Sequence, residues 1–227
     1  MATHEVTKRL HTQVHTPRYA KYGLLYSRYT ILDTRQLTPP GWRVFDDGDA
    51  SVLDTFVGGV GGKLKEAGTT HWTTPNTGAT NETGFTLLPG GMLRAYTGEF
   101  TGGFIEMNTM GIWFIGSASN FLCLYNSSDL ESGWYSFLKD GFSVRLTRES
   151  NLGWTPGEKV VDYDGNIYDT VRIGTDSIWR IYTVQNFACT HYRNGESIPR
   201  VTDPNLWRDL TAGAYAVYNN DWSNVFV

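Results

Sequence analysis

Apolar residues at Val52, Leu53, Phe56 and Val57 follow the acidic run Asp46, Asp47 and Asp49, and their 3.6-residue spacing predicts an amphipathic helix. Acidic side chains cap its start and Gly58–Gly59 end it. A second, shorter helix is predicted over Pro204–Leu210, with Asp203 as its N-cap and Pro204 at the first helical position. Elsewhere the period shortens to two. Between Thr97 and Ser136 aromatic residues alternate with small polar ones, as in GIWFIGSASNFLCLYN, the pattern of a small twisted antiparallel sheet. FTLLPGGMLR (85–94) and GFSVRLTR (141–148) read as strands. VVDYDGNIYDTVRIG (160–174) places Asp164-Gly165 between two alternating runs, which predicts a two-residue hairpin.

The connecting stretches are long and rich in turn-formers. YAKYGLLYSRY (19–29) is aromatic enough to pack into a core as a short helix or strand, and LTPPGW (37–42) forbids regular structure. GTTHWTTPNTGATNETG (68–84) reads as a loop, and ESNLGWTPGEK (149–159) as a linker. Residues 1–18 are polar, Thr- and His-rich, and read as an extended arm outside the packed domain, which occupies 19–227. The pattern as a whole predicts an α+β domain that is loop-rich, with small antiparallel sheets and two short helices.

Composition narrows the partners. Of 227 residues the net charge is -4, and Lys and Arg are scattered, so neither nucleic acid nor an anionic membrane is an expected partner. No apolar run reaches the roughly 20 residues of a membrane span. The opening MATHEVTKRLHTQVHT lacks the apolar core of a secretion signal, so synthesis in the cytoplasm is expected. Cys123 and Cys189 are the only cysteines and stand in no metal-ligand spacing; both read as small buried hydrophobes.

The motifs also accumulate in an order that carries information. YGLLYSRYTI, LTPPGWRV, GGKLKEAGTTHW, NTGATNETGFTLLPGG and GFSVRLTR resemble the second part of the Fibrobacter succinogenes major paralogous domain. DYDGNIYDTVRIG, QNFACTHYRNGESIPRVTD, Trp207 and AGAYAVYNND resemble its first part. The two parts stand in reverse order here, with 19–148 as the usual second part and 160–227 as the usual first. One explanation is a circularly permuted domain closed within the chain, for which an 11-residue linker spans ~35 Å. The other is the end of one repeat joined to the start of the next, each completed by a neighbouring subunit. The resemblance implies a C-type-lectin-like fold of the formylglycine-generating-enzyme branch.

It does not imply that enzyme's chemistry, because Leu146 stands where the family's usual cysteine falls near the closing GFSVR. Cys189 and His191 fall on one face if their segment is a strand, but without a third orienting group they read as incidental. Asp46, Asp47 and Asp49 read as helix caps rather than calcium ligands, so no metal and no cofactor is expected. Trp42, Trp113, Trp179 and Trp207 read as core. Tyr96, Phe104, Tyr125 and Trp134 stand beside Asn, Ser and Gly and are the candidate ligand- or partner-binding residues. The expected function is a non-enzymatic structural or attachment protein of a bacteriophage virion (tail, neck or head fibre). It would be a homo-oligomer, held to sister subunits or other virion proteins through residues 1–18, with carbohydrate or the host surface as a further partner. A bacterial cell-surface lectin or adhesin is the alternative, and an enzyme of the formylglycine-generating type ranks third.

Overall fold

The computed structural model describes residues 18–95, 102–116, 120–129, 139–149 and 153–226. Its first half carries β1 (Leu25–Tyr26), α1 (Arg28–Ile31), β2 (Arg43–Val44), α2 (Asp47–Val57), β3 (Gly90–Arg94), β4 (Gly103–Met107), β5 (Met110–Ile115) and β6 (Asn120–Tyr125). The second half carries β7 (Leu146–Glu149), β8 (Lys159–Val161), β9 (Ile167–Gly174), β10 (Trp179–Thr183), α3 (Pro204–Arg208) and β11 (Tyr215–Ala216). The protein is α+β: the main sheet is five-stranded in the order β2-β7-β10-β9-β8, and the pairs β3-β4, β5-β6 and β1-β11 form two-stranded sheets. Every pairing between these strands is antiparallel. β7 lies between β2 and β10, so the stretches on either side of 149–159 share one sheet within the same chain.

The acidic run caps α2 as its position predicts. The Asp46 carboxylate accepts from the Asp49 N–H at 3.1 Å, and the Asp49 carboxylate accepts from the Asp46 N–H at 2.7 Å. This reciprocal box satisfies two N–H groups that the first helical turn leaves without partners. Gly58 ends the helix in the left-handed region at φ +67. The buried stripe differs from the predicted one. Asp49, Leu53 and Val57, four residues apart, face inward, whereas Val52 is half-buried and Phe56 is 44% exposed. Ion pairs from Asp49 to Arg43 and Arg180 fix this rotation, turning Phe56 away from the sheet.

The main sheet is buried on both faces because adjacent residues point opposite ways. Ile181, Leu146 and Tyr168 join a cluster with Leu24, Phe142 and Phe187, while Tyr182 and Ile173 join Leu53 and Val57 of α2 with Phe45 and Trp113. Trp42, Trp113 and Trp207 are buried as expected. Trp179, at the start of β10, is half-buried but packs against the core, with the Arg172 guanidinium 4.5 Å from its ring centre. The hairpin joining β8 and β9 is present but its loop is longer than two residues. Asp162 N–H still donates to Asn166 O at 3.1 Å, leaving Tyr163–Gly165 as the loop, with Gly165 at φ +81 taking the left-handed position a three-residue hairpin needs. The described residues of the 149–159 stretch are also more tied down than a linker. Glu149 belongs to β7 and Lys159 to β8, the Trp154 indole N–H donates to Thr170 Oγ1 at 2.9 Å, and Arg148 bonds Gly153 O and Glu158. α3 starts with the expected Asp203 cap and proline, and ends at Arg208.

The largest polar side chain in the core is held by four acceptors. Arg145 is fully buried, and its guanidinium donates to Asn186 Oδ1, Phe85 O, Thr183 O and Thr86 O at 2.9, 2.5, 3.1 and 2.9 Å. Arg145→Met takes the guanidinium donors from the Phe85, Thr86 and Thr183 carbonyls and should lower the unfolding free energy by about 3–5 kcal/mol. Arg145→Lys, with a compact head that cannot reach all four, should recover only part of it, as read from urea midpoints. Asp140 gives a pH signature. Burial pushes its carboxyl from 3.8 up to about 6, although its Oδ1 accepts from the Ala95 N–H at 2.8 Å. The folded state therefore takes up this proton before the unfolded state does, so this group's contribution to stability grows as pH falls from about 6 towards 4 and is absent above that window. Asp140→Asn, which keeps the acceptor for Ala95, should flatten stability against pH across that interval.

Candidate functional site

Four segments far apart in sequence meet around a cleft of about 420 Å³: Arg18, the hairpin loop Tyr163–Asn166, the stretch Ala188–His191, and Trp222 with Phe226. The hairpin loop is rigid because the Asp162 carboxylate accepts from Asn166 N, Asn166 Nδ2 and Tyr168 Oη at 3.0, 2.8 and 2.6 Å. Burial raises the Asp162 pKa, and the three donors offset this. Tyr168 Oη in turn accepts from the Ala188 N–H at 3.0 Å, and Tyr26 Oη donates to Cys189 O at 2.8 Å, locking the second wall to the core.

Asp164 organises the floor. Its Oδ2 accepts from the Thr190 N–H at 2.6 Å and the Thr190 hydroxyl at 2.8 Å, and its Oδ1 stands 2.5 Å from His191 Nδ1. The carboxylate orients the imidazole with Nδ1 as donor. His191 Nε2 carries no hydrogen bond among the described residues. The walls are aromatic. The Tyr163 ring is 5.4 Å from that of His191 and Tyr163 is 60% exposed, and Trp222 is 40% exposed with its ring nearly parallel to Phe226. Arg18 lies 5.4 Å from the Phe226 ring centre, and Arg200 lies 5.6 Å from that of Trp222.

A second, more open depression is lined by Lys21, Tyr22, the 69–74 loop and Asn108. Tyr22 Oη donates to Asn108 Oδ1 at 2.9 Å, burial pushes its pKa up to about 12, and His71 pairs with Glu66 at 2.8 Å. Trp72 is buried there, with its N–H on Leu87 O, and serves the core rather than the opening. The first cleft therefore combines exposed rings with oriented polar groups, and the second does not.

Of the residues expected at a binding surface, Phe104 is half-buried on β4 against Tyr218, at 5.3 Å between ring centres, and Tyr125 is 40% exposed at the end of β6. Neither lines the cleft, and Tyr96 and Trp134 lie outside the described residues. The cleft residues carry little sequence signal: Asp164 reads as a turn former, and His191 stands out only for its spacing from Cys189. That pair does not make a thiolate and base. Cys189 Sγ donates to the His191 backbone carbonyl at 3.2 Å, and burial raises its pKa well above the ordinary thiol value. In the acidic run, Asp49 pairs with Arg43 and Arg180.

The chain belongs to the Fibrobacter succinogenes major domain family, whose model matches residues 2–148. The match takes in most of the predicted arm 1–18, of which residues 1–17 lie outside the described residues, and closes at Arg148, the last residue of the GFSVRLTR run. Residues 149–227, which supply three strands of the main sheet and most of the cleft, lie beyond it. No curated protein and no solved structure matches the chain.

Neither Cys123 nor Cys189 is in a disulfide, and both are buried. A thiol reagent at pH 8 should therefore modify neither in the native protein within minutes and both in denaturant. Rapid native labelling at Cys189 would show an accessible thiolate and reopen nucleophilic chemistry beside His191.

Proposed function

We propose that this chain is a non-enzymatic binding module that serves as a structural or attachment component of a bacteriophage particle. The observation that carries the binding reading is the cleft itself: the exposed rings of Tyr163 and Trp222 flank an Asp164–His191 pair whose geometry is fixed from behind by Asp162, Thr190 and Tyr168. Preorganised polar groups under exposed aromatic rings hold a ligand with little ordering cost. Turnover finds less support. His191 Nε2 has no hydroxyl or thiol at hydrogen-bonding distance among the described residues, and the neighbouring thiol bonds a carbonyl.

Two measurements test this reading. Peptides of the protein should appear in purified phage particles by mass spectrometry at structural copy number. The purified protein, fluorescently labelled, should adhere to intact bacterial cells, with Tyr163→Ala and Trp222→Ala lowering adhesion roughly tenfold while the melting temperature holds. Absence from particles removes the virion role, and adhesion indifferent to both variants removes the cleft from the function.

A further inference from the structure

We propose that the cleft between the Tyr163–Asn166 loop and the Trp222–Phe226 ring pair binds an acidic saccharide, a pyranose carrying a carboxylate. This rests on the binding-module reading and names its ligand class.

The first argument is shape and polarity. At about 420 Å³ the cleft falls in the size range of small-molecule sites, and its lining mixes rings with polar atoms. A pyranose has the same mixture: axial C–H bonds make one face apolar, and hydroxyls ring its edge. Trp222 and Tyr163 offer exposed ring surface for the first, and His191 Nε2 and Tyr163 Oη offer partners for the second.

The second argument is charge. Arg18 forms no ion pair among the described residues, and its guanidinium is held over Phe226 at the cleft wall. The cleft's carboxylate, Asp164, forms no ion pair with it and accepts from Thr190 and His191 instead. An unpaired guanidinium beside an aromatic wall suits a planar carboxylate, which it can hold through two parallel N–H donors. A phosphate is a poorer match. It carries more charge into a site already holding Asp164, and the Thr190 N–H that could serve it is committed to that carboxylate. This favours a sugar acid over a nucleotide.

The test uses the full chain and isothermal titration with trigalacturonate and sialyllactose, their neutral counterparts galactotriose and lactose, and adenosine monophosphate. At least one acidic sugar should bind roughly tenfold more tightly than its neutral counterpart, and this preference should shrink as salt is raised. Trp222→Ala should abolish binding of both members of that pair. Arg18→Gln should reduce the acidic sugar to the affinity of its neutral counterpart, erasing the acidic preference. Equal binding of acidic and neutral sugars, tighter binding of adenosine monophosphate, or an acidic preference that survives Arg18→Gln would overturn the proposal. If no sugar binds while cell adhesion still depends on Tyr163 and Trp222, the ligand class is wrong and the binding reading stands; if adhesion is also lost as a property, both fall.

Discussion

The buried guanidinium of Arg145 is the interaction on which the rest of the fold depends. A charge without a carboxylate partner is tolerated in a protein interior only if its donors are met, and here they reach three backbone carbonyls and one amide oxygen drawn from separate segments. Phe85 and Thr86 belong to the long loop before β3, Thr183 ends β10, and Asn186 follows it. Asn186 extends the network: its Oδ1 also accepts from the Trp113 indole at 2.7 Å, and its Nδ2 donates to Tyr22 O at 2.9 Å. One cation thus ties the first described segment, the irregular middle, β5 and the main sheet to a common point. In a domain with so little regular structure, this network performs part of the work that backbone ladders do elsewhere.

Lys65 repeats the device. It is fully buried, and its ammonium donates to Thr77 O, Tyr125 O and Ser128 O at 2.8, 3.0 and 2.9 Å, with Trp72 beside it. Burial pushes its pKa down to about 8, while three converging carbonyls favour the charged form. The ammonium thereby gathers the 68–84 loop and the end of β6 around itself. A loop dense in Thr, Asn and Gly carries many backbone groups that need partners, and an internal cation satisfies several at once.

These features explain what could be read from sequence. Local rules found α2 with its Asp46 cap, α3 with Asp203 and Pro204, and the existence of the β8-β9 hairpin, because each is set by residues within a few positions of one another. The same rules missed whatever depends on distant partners. Phe56 fits the helical period, yet it faces solvent because Asp49 is claimed by Arg180 from β10. Asp164 lies in a predicted turn, and its role follows from Thr190 and His191, 26 and 27 residues further on. Trp154 sits in a stretch whose composition reads as linker, yet Thr170 holds it to the sheet. Composition reports that a segment has no regular structure; it does not report whether the segment is anchored.

The position of the cleft follows from how the first and last described segments meet. The Lys21 N–H donates to Val225 O at 2.7 Å, the Tyr22 N–H donates to Asn224 O at 3.1 Å, and Ala20 bridges Phe226, while Tyr19 runs parallel to Ile167. Arg18 is delivered to the cleft wall by this pairing, as Phe226 is, and the hairpin loop arrives from the start of β9. No single segment contains the site. It exists only while these pairings hold, so a ligand bound there stabilises the closure of the chain as well as its own contacts, by RT ln(1 + [L]/Kd) for a ligand that does not bind the unfolded state. Binding and closure of the domain are therefore thermodynamically coupled, whatever order the two halves had in an ancestral chain.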